Sequence, residues 1–315
     1  MNHFELAPAN DFIWNQTEFT QFLIDNQYKS IYLNTHHEGV CLKSAGIYDL
    51  LEQFGYSDVT IKTNNLLEQH PQYKILLDDP FKFFQVEHGN YQDLHHWTQR
   101  KIFGCFYNRP VWYRIGLAAT LQHDNHSALI NLRAPFDTED SRGLVEVQQL
   151  FNYAPDAFAK FAQVFVNWPC QLEDQDGYTV GNTTTGHTDQ MAKFYADILI
   201  DIVAETWCSG NTFFPTEKTV RPMLLKKPFI VMGPADYLCY LRQMGFRTFG
   251  DFWPEDYDGY EIKTRFEKIL QLIDSLAKKT INELESMYLD MQYTLDHNYN
   301  LLVEQRYTTQ IKHVE

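Results

Sequence analysis

The sequence predicts an α/β protein made of two units, each built on a parallel sheet, and a long helical segment at the C-terminus. Three observations support this class. Short apolar strands alternate with helix-length segments in both halves of the 315 residues, a rhythm typical of parallel strands joined through helices. The hydrophobic fraction of 44% and the aromatic fraction of 15% suffice for packed cores. Beyond residue 262, apolar residues recur at helical spacing. We expect domains over residues 1–99 and 100–262, with residues 263–315 packing back across both.

The N-terminal half contains the pattern of one βαβ unit. Its helices and strands alternate over residues 14–26, 30–34, 40–54 and 58–62. The loop after the first strand reads His36-His37-Glu38-Gly39. Since the carboxyl edge of a parallel sheet is where ligands usually bind, His37 and Glu38 become candidate site residues. The alternative is a solvated turn in which Gly39 supplies a positive φ.

The metal-binding patterns of the chain are weak. The histidine pairs His36-His37 and His95-His96 show no HExxH spacing, and adjacent histidines in a helix point to different faces. A third pattern, an Asp-x-Asp over residues 174–176, lies between turn-forming residues instead of ending an apolar strand. We therefore predict no metal site and no obligatory cofactor.

The second half repeats the strand and helix rhythm. The predicted strands cover residues 101–107, 128–132, 197–204 and 228–232. Helices are expected from about residue 111 to 121, over residues 189–196 and 235–244, and in a short segment opened by the polar turn Thr216-Glu217-Lys218. Residues 134–188 read as rich in loops. The C-terminal helix is expected to break near Lys278.

The charge of the chain is unevenly distributed. The formal net charge is −15, which disfavours sequence-independent binding to a nucleic-acid backbone. Residues 212–249 nevertheless carry six basic residues against two acidic ones, and residues 100–114 carry four basic residues and no acidic one. Two such basic turns at strand-to-helix junctions could hold the two phosphates of one ligand. The alternatives are a solvated surface, favoured for Lys226 and Lys227, and pairing of Arg114 with an acid on the following helix.

Cysteine usage and hydropathy indicate the compartment. The five cysteines are scattered without CxxC spacing, which is typical of reduced thiols. The first residues lack the basic and apolar regions of a signal peptide, and no later stretch is apolar enough to cross a bilayer. We expect a cytoplasmic protein without a membrane span.

A family resemblance follows from the segment around the polar turn. The strand that ends at Glu205, the turn Thr216-Glu217-Lys218 and residues 227–233 resemble the donor-binding segment of GT-B glycosyltransferases. The likeness is nearest to α1,3-fucosyltransferases and to glycosyltransferase-like proteins of bacteriophage genomes, which share the Gly-Phe-x-Thr-Phe and Asp-Phe-Trp sequences of residues 245–249 and 251–253. It covers residues 100–270 and implies two Rossmann-like domains that face a cleft.

The resemblance implies roles for individual residues. Glu217 would accept hydrogen bonds from the nucleotide ribose, Lys218 would contact the diphosphate, and Arg114 would be the pyrophosphate arginine, with Arg109 as a second candidate. The complete set of donor-binding candidates is Arg109, Arg114, Glu205, Thr216, Glu217, Lys218, Arg221 and Gly233. The catalytic base is inferred from position alone, and it is Glu38 or its neighbour His37.

The function implied is metal-independent transfer of a sugar from a nucleotide-sugar donor to an acceptor hydroxyl. A glycan, protein or lipid hydroxyl suits the acidic chain, while the phage-type likeness makes a hydroxymethylated DNA base the alternative acceptor, reached in the host cytoplasm. Two further alternatives are a nucleotide- or sugar-binding protein without turnover and a structural phage protein, in which the basic turns would be surface features.

Overall fold

The structure is a computed structural model that describes residues 2–6, 16–27, 29–35, 39–84, 97, 101–135, 142–170, 172 and 188–314. Within these residues the chain forms two four-stranded sheets whose strand pairs are all parallel. The expectation of an α/β protein with two parallel sheets is therefore confirmed. Among the described helices, none has the length and hydropathy needed to cross a membrane.

The N-terminal sheet has the strand order β1-β2-β3-β4. Its strands are β1 (Asn2–Glu5), β2 (Ile31–Thr35), β3 (Val59–Thr63) and β4 (Lys74–Leu77). Helices α1 (Gln16–Asp25) and α2 (Ile47–Gln53) pack on this sheet, whereas Phe81 of α3 (Pro80–Phe84) is buried in the core of the second sheet. The predicted βαβ unit is present, and the edge strands β1 and β4 extend it.

A small apolar core lies on one face of this sheet. Ile31, Leu33 and Ile61 are fully buried, and they form one cluster with Phe19 of α1 and Leu51 of α2. These strand residues alternate along β2 and β3, so they share a face. The predicted helix over residues 40–54 is wrong in its first half, because Gly46 has a φ of 71° and the α-helix begins only at Ile47.

The second sheet has the strand order β6-β5-β7-β8. Its strands are β5 (Lys101–Phe106), β6 (Ala128–Asn131), β7 (Ile198–Ala204) and β8 (Phe229–Met232). All seven residues of β7 are buried, as expected for a central parallel strand covered on both faces. Residues 204 and 205 thus reach the carboxyl edge in the middle of the sheet.

Within the described residues, six α-helices between residues 112 and 244 belong to the second unit. They are α4 (Trp112–His123), α5 (Arg142–Tyr153), α6 (Pro155–Val164), α7 (Thr188–Asp197), α8 (Glu217–Leu224) and α9 (Tyr237–Met244). The expectation of a loop-rich stretch over residues 134–188 is wrong for α5 and α6. Their apolar residues do recur at helical spacing, as with Ala157, Phe161 and Val164, which are buried along α6, so the sequence carried a helical pattern that the expectation overlooked.

Three helices follow the second sheet, namely α10 (Ile262–Ala277), α11 (Ile281–Asp290) and α12 (Gln292–Val303). The expected break near Lys278 is confirmed, because α11 starts afresh with a capping box between Thr280 and Glu283. Apolar residues of these helices, among them Phe266, Ile273 and Leu295, are buried in the core of the second sheet.

The chain after α12 runs back to the N-terminal unit. The Tyr307 ring lies 5.2 Å from Phe81 of α3 and 5.6 Å from Phe246, and its hydroxyl donates to Asp79 at 2.9 Å. His313 Nε2 lies 3.0 Å from the carbonyl oxygen of Leu67. Residues 304–314 therefore bridge the segments that follow β3 and β4 to the second unit.

Asn65 makes a second junction between the units. It follows β3, and its side-chain oxygen accepts from the backbone N–H groups of Leu67 and Phe213 at 3.1 and 2.9 Å. Its side-chain nitrogen donates to Glu68 and to the carbonyl oxygen of Asn211 at 3.2 and 3.1 Å. The carboxyl edge of the N-terminal sheet thereby adjoins the segment that leads to α8.

Candidate functional site

The candidate site lies at the carboxyl edge of the second sheet. Glu205 follows β7 directly, and Thr216 is the N-cap of α8, whose side chain accepts a hydrogen bond from the backbone N–H of Lys218. The N-terminus of α8 therefore points its first N–H groups towards the end of a central strand. A helix N-terminus at this position favours an anionic ligand through its dipole.

Glu205 is the centre of a buried hydrogen-bond network. Only 1% of its surface is exposed. One carboxylate oxygen accepts from the backbone N–H of Thr216 at 3.1 Å, from the Thr219 hydroxyl at 2.5 Å and from the Tyr237 hydroxyl at 2.9 Å. The other accepts from the Thr216 hydroxyl at 2.6 Å and from the backbone N–H of Thr206 at 3.2 Å. This carboxylate is held by protein donors, and it fixes the start of α8.

Glu217 and Lys218 form a half-buried ion pair at the start of α8. The ammonium of Lys218 lies 2.7 Å from a carboxylate oxygen of Glu217 and 3.3 and 3.2 Å from the hydroxyls of Thr206 and Thr216. Burial raises the pKa of Glu217, but the positive charges of Lys218 and Arg221 prevail and lower that pKa to about 2. The pair is charged at neutral pH, and a ligand anion at Lys218 competes with Glu217.

Arg221 lies one helical turn beyond Glu217. Burial disfavours its charge, but Tyr195, Glu217 and Asp201 hold the pKa of its guanidinium above the usual value. The Tyr195 hydroxyl donates to Asp201, which is buried in β7. Arg221 thus links the polar turn to β7 inside the protein.

Arg114 is a buried cation that contacts the same strand end. Its guanidinium donates to the carbonyl oxygens of Ala204 at 3.0 and 3.3 Å, of Glu205 at 2.9 Å and of Arg109 at 3.3 Å. The side chain of Arg114 thus donates to backbone carbonyl oxygens at the end of β7. The alternative expectation, pairing with an acid on the following helix, is not among these hydrogen bonds. The guanidinium charge therefore lies against the main chain of Glu205.

The other two donor-binding candidates lie near this edge in different roles. Arg109 is exposed in the turn before α4, and its carbonyl oxygen is the acceptor for Arg114. Gly233 follows β8, and a Cβ at this position would lie 2.7 Å from the ring of Tyr237. The glycine therefore permits the ring to approach, and the hydroxyl of that ring reaches Glu205.

The catalytic candidates His37 and Glu38 lie outside the described residues, as do His95, His96 and the Asp-x-Asp of residues 174–176. The flanking residue Gly39 lies against the second unit. Its carbonyl oxygen accepts from the Thr212 hydroxyl at 2.5 Å, and a Cβ on Gly39 would lie 2.2 Å from the ring of Phe214. Gly39 has a φ of 53°, so the expectation of a positive φ is confirmed.

The basic stretch over residues 212–249 does not converge on one site. Lys226 pairs with Asp296 of α12 at 2.7 Å, and Arg242 pairs with Glu255 at 3.2 Å. The expectation of a solvated Lys227 is wrong, because that side chain is fully buried and donates to the carbonyl oxygen of Ile198 at 3.0 Å. Lys218 and Arg221 are the cations of this stretch that contact Glu217.

Two residues of the network were not among the sequence candidates. Thr219 and Tyr237 both donate to Glu205, and their hydroxyls lie 2.8 Å apart. Thr219 could have been found from its spacing, since it is one helical turn after the N-cap Thr216. Tyr237 reads in the sequence as an ordinary apolar residue at the start of α9.

The arrangement combines an anion-favouring helix start with a carboxylate that can accept hydrogen bonds from a ligand. Lys218 supplies an ammonium group, Glu217 supplies the half-buried carboxylate, and the buried residues Glu205 and Arg114 lie beneath them. A ligand with both hydroxyls and anionic groups, such as a nucleoside diphosphate, is complementary to this pair. No protein-family model, curated protein or solved structure matches the chain.

Proposed function

We propose that the protein is a GT-B-type glycosyltransferase that moves a sugar from a nucleotide-sugar donor to an acceptor hydroxyl without an obligatory metal. The observation that carries this proposal is the polar turn Thr216-Glu217-Lys218 at the N-terminus of α8, fixed on Glu205 at the carboxyl edge of a parallel sheet.

The ion pair of the polar turn accounts for donor binding. Lys218 now donates to Glu217 and to two threonine hydroxyls. When ribose hydroxyls donate to Glu217, the ammonium of Lys218 is released to contact the diphosphate. Ribose and diphosphate therefore support each other's binding, and free phosphate alone competes poorly with Glu217.

The same groups assist departure of the nucleoside diphosphate. Breaking the sugar–oxygen bond places negative charge on the leaving diphosphate, and Lys218 and the N-terminus of α8 stabilise that charge. Loss of one such preorganised donor costs about 3 kcal/mol in transition-state stabilisation. The guanidinium of Arg114, which is bonded to the carbonyl oxygens at the end of β7, adds a further positive charge.

The acceptor side is the carboxyl edge of the N-terminal sheet, where Glu38 or His37 would deprotonate the acceptor hydroxyl in an inverting reaction. Next to Asn65, the side chain of Asn64 is fully buried, and both of its amide atoms lack a hydrogen-bond partner within the described part of the chain. Buried amides usually have partners, so the side chain of Asn64 is a polar group at this edge that the described residues leave unsatisfied. We place a glycan, protein or lipid hydroxyl first and a hydroxymethylated DNA base second.

The first test is thermal stability with UDP-, GDP-, ADP- and CDP-linked sugars. At about one hundred times its dissociation constant, the correct donor adds about 2.7 kcal/mol to the free energy of unfolding. We expect one nucleotide class to raise the melting temperature of wild type and of Lys43→Ala, an exposed control, but not of Lys218→Ala. Acceptor-dependent release of nucleoside diphosphate then measures transfer. No shift with any nucleotide would refute the donor site.

A second candidate function is a nucleotide- or sugar-binding protein without turnover. The contacts of the two cations within the protein favour this function, because Arg114 is bonded to backbone carbonyls and Lys218 is paired with Glu217. A stability shift with one nucleotide, with no release of nucleoside diphosphate in a broad acceptor screen, would select this function over transfer.

A further inference from the structure

A cluster of metal-ligating side chains lies at the opposite edge of the second sheet. Asp124 and His126 lie between the end of α4 and the start of β6, and Asp274 comes from α10. The turn between α4 and β6 is tight, with Asn125 at a φ of 53°. Because the strands are parallel, this amino edge is remote from Glu205, which lies at the carboxyl edge.

The ligand atoms of the three residues are close together. One ring nitrogen of His126 and one oxygen from each carboxylate all lie within 4.8 Å of one another. The closest pair is His126 Nε2 and Asp274 Oδ1, which are 2.9 Å apart. In a tetrahedral zinc site, with bonds of about 2.0–2.2 Å, ligand atoms are about 3.3 Å apart, so small side-chain rotations suffice to admit an ion.

Asp124 has further partners that bear on this geometry. His123 Nδ1 lies 2.7 Å from Asp124 Oδ1, and His123 Nε2 lies 3.2 Å from Oε1 of Gln163. This contact orients the Asp124 carboxylate, as hydrogen-bonding partners of metal ligands commonly do. Lys160 donates to Asp124 Oδ2 and is the cation with which a metal ion would compete.

The charge balance favours a divalent cation. Two carboxylates and an imidazole face one another, and the ammonium of Lys160 compensates one of the two negative charges. His126 is largely buried, whereas Asp274 is partly exposed and gives an ion access from solvent. One imidazole and two carboxylates suit a zinc-class ion, with water in the remaining position.

We propose that Asp124, His126 and Asp274 form a binding site for a divalent transition metal of the zinc class. The ion would link the turn after α4 to α10 and act structurally, far from the proposed donor site. This site is independent of the proposed function.

The test uses the metal-free full-length chain, with Zn²⁺ as the probe and Mg²⁺ as the comparison. We expect Zn²⁺ to bind with one-to-one stoichiometry in calorimetry and to raise the melting temperature, and Mg²⁺ to do neither. His126→Gln and Asp274→Asn should each lose the shift. His297→Gln, which changes an exposed histidine on α12, should keep it. The same Zn²⁺ affinity in His126→Gln as in wild type would place the zinc elsewhere and overturn the proposal.

Lys160→Met provides a second test that does not remove a ligand. If the ion uses Asp124, removal of the competing ammonium should tighten Zn²⁺ binding, by about tenfold if it acts as strongly as other groups around metal ligands. If the cluster is only an ion-pair network, Lys160→Met should leave the Zn²⁺ titration unchanged, and that result would contradict the proposal.

Discussion

The carboxylate of Glu205 accepts hydrogen bonds from both the backbone N–H and the hydroxyl of Thr216, at 3.1 and 2.6 Å. Two contacts to one residue fix the N-cap of α8 relative to the end of β7. Since Glu217 and Lys218 follow Thr216 directly, their positions depend on a residue that is itself buried beneath them. The stability of the fold and the geometry of the candidate site are therefore coupled at Glu205.

Glu205→Gln should destabilise the protein. The substitution replaces one acceptor oxygen by an NH₂ group that faces buried donors, which should lower the free energy of unfolding by about 3 kcal/mol. Denaturant titration measures the change. Glu52→Gln alters an exposed glutamate of α2 and should shift the free energy by less than about 0.5 kcal/mol. Equal effects of the two substitutions would show that the network around Glu205 contributes nothing to stability.

The neighbours Asn64 and Asn65 should respond to leucine in opposite directions. Asn65 has four side-chain hydrogen bonds, so Asn65→Leu leaves buried backbone groups unpaired and should cost about 2–3 kcal/mol. Asn64→Leu removes a buried amide that has no partner among the described residues, and it should raise the free energy of unfolding by about 1 kcal/mol. Chemical denaturation of both variants is the measurement. A loss of stability in Asn64→Leu would mean that its amide is paired in solution.

Lys227 should make stability depend on pH. Burial lowers the pKa of its ammonium to about 7 from the usual 10.5. Between these two pH values the unfolded chain binds a proton that the native state does not, so the contribution of Lys227 to stability rises with pH and is constant below pH 7. Lys227→Met should abolish this component of the pH profile. Lys278→Met, at an exposed position, serves as the control and should retain it.

Two substitutions at Tyr307 separate its hydrogen bond from its packing. Tyr307→Phe removes the bond to Asp79 and should cost about 1 kcal/mol. Tyr307→Ala also removes the ring from Phe81 and Phe246 and should cost about 3 kcal/mol. The melting temperatures of both variants test whether Tyr307→Ala is the more destabilised of the two. Limited proteolysis reports on the N-terminal unit. A Tyr307→Ala variant as stable as wild type would show that residues 304–314 do not hold the units together.

Sequence patterns were sufficient where burial follows a simple periodicity. The run Ile198–Ala204 is apolar apart from Asp201, and it is the central strand that was expected. Strand β4 (Lys74–Leu77) was missed because it is an exposed edge strand whose residues show no regular alternation of burial. Helices α5 and α6 were missed although Ala157, Phe161 and Val164 of α6 recur at helical spacing and are buried, so this pattern could have been found in the sequence.

The candidate site was predictable in position but not in its internal pairing. The turn Thr216-Glu217-Lys218 could be placed at a strand-to-helix junction from the sequence alone. The ion-pair partners of Lys226 and Arg242 could not be predicted, because Asp296 and Glu255 lie outside the basic stretch over residues 212–249. A count of charges in one segment includes only that segment. The electrostatic field at a site also depends on charged residues that the fold brings there from elsewhere in the chain.

The bridge formed by residues 304–314 has a consequence for synthesis on the ribosome. Phe81 is translated long before Tyr307, whose ring packs against it. The N-terminal sheet can form while residues 304–314 are still missing, but α3 keeps part of its aromatic surface uncovered until they have left the ribosome. Docking of Tyr307 on α3 is therefore a late step of folding, and a nascent chain stalled before residue 304 should expose this surface to chaperones.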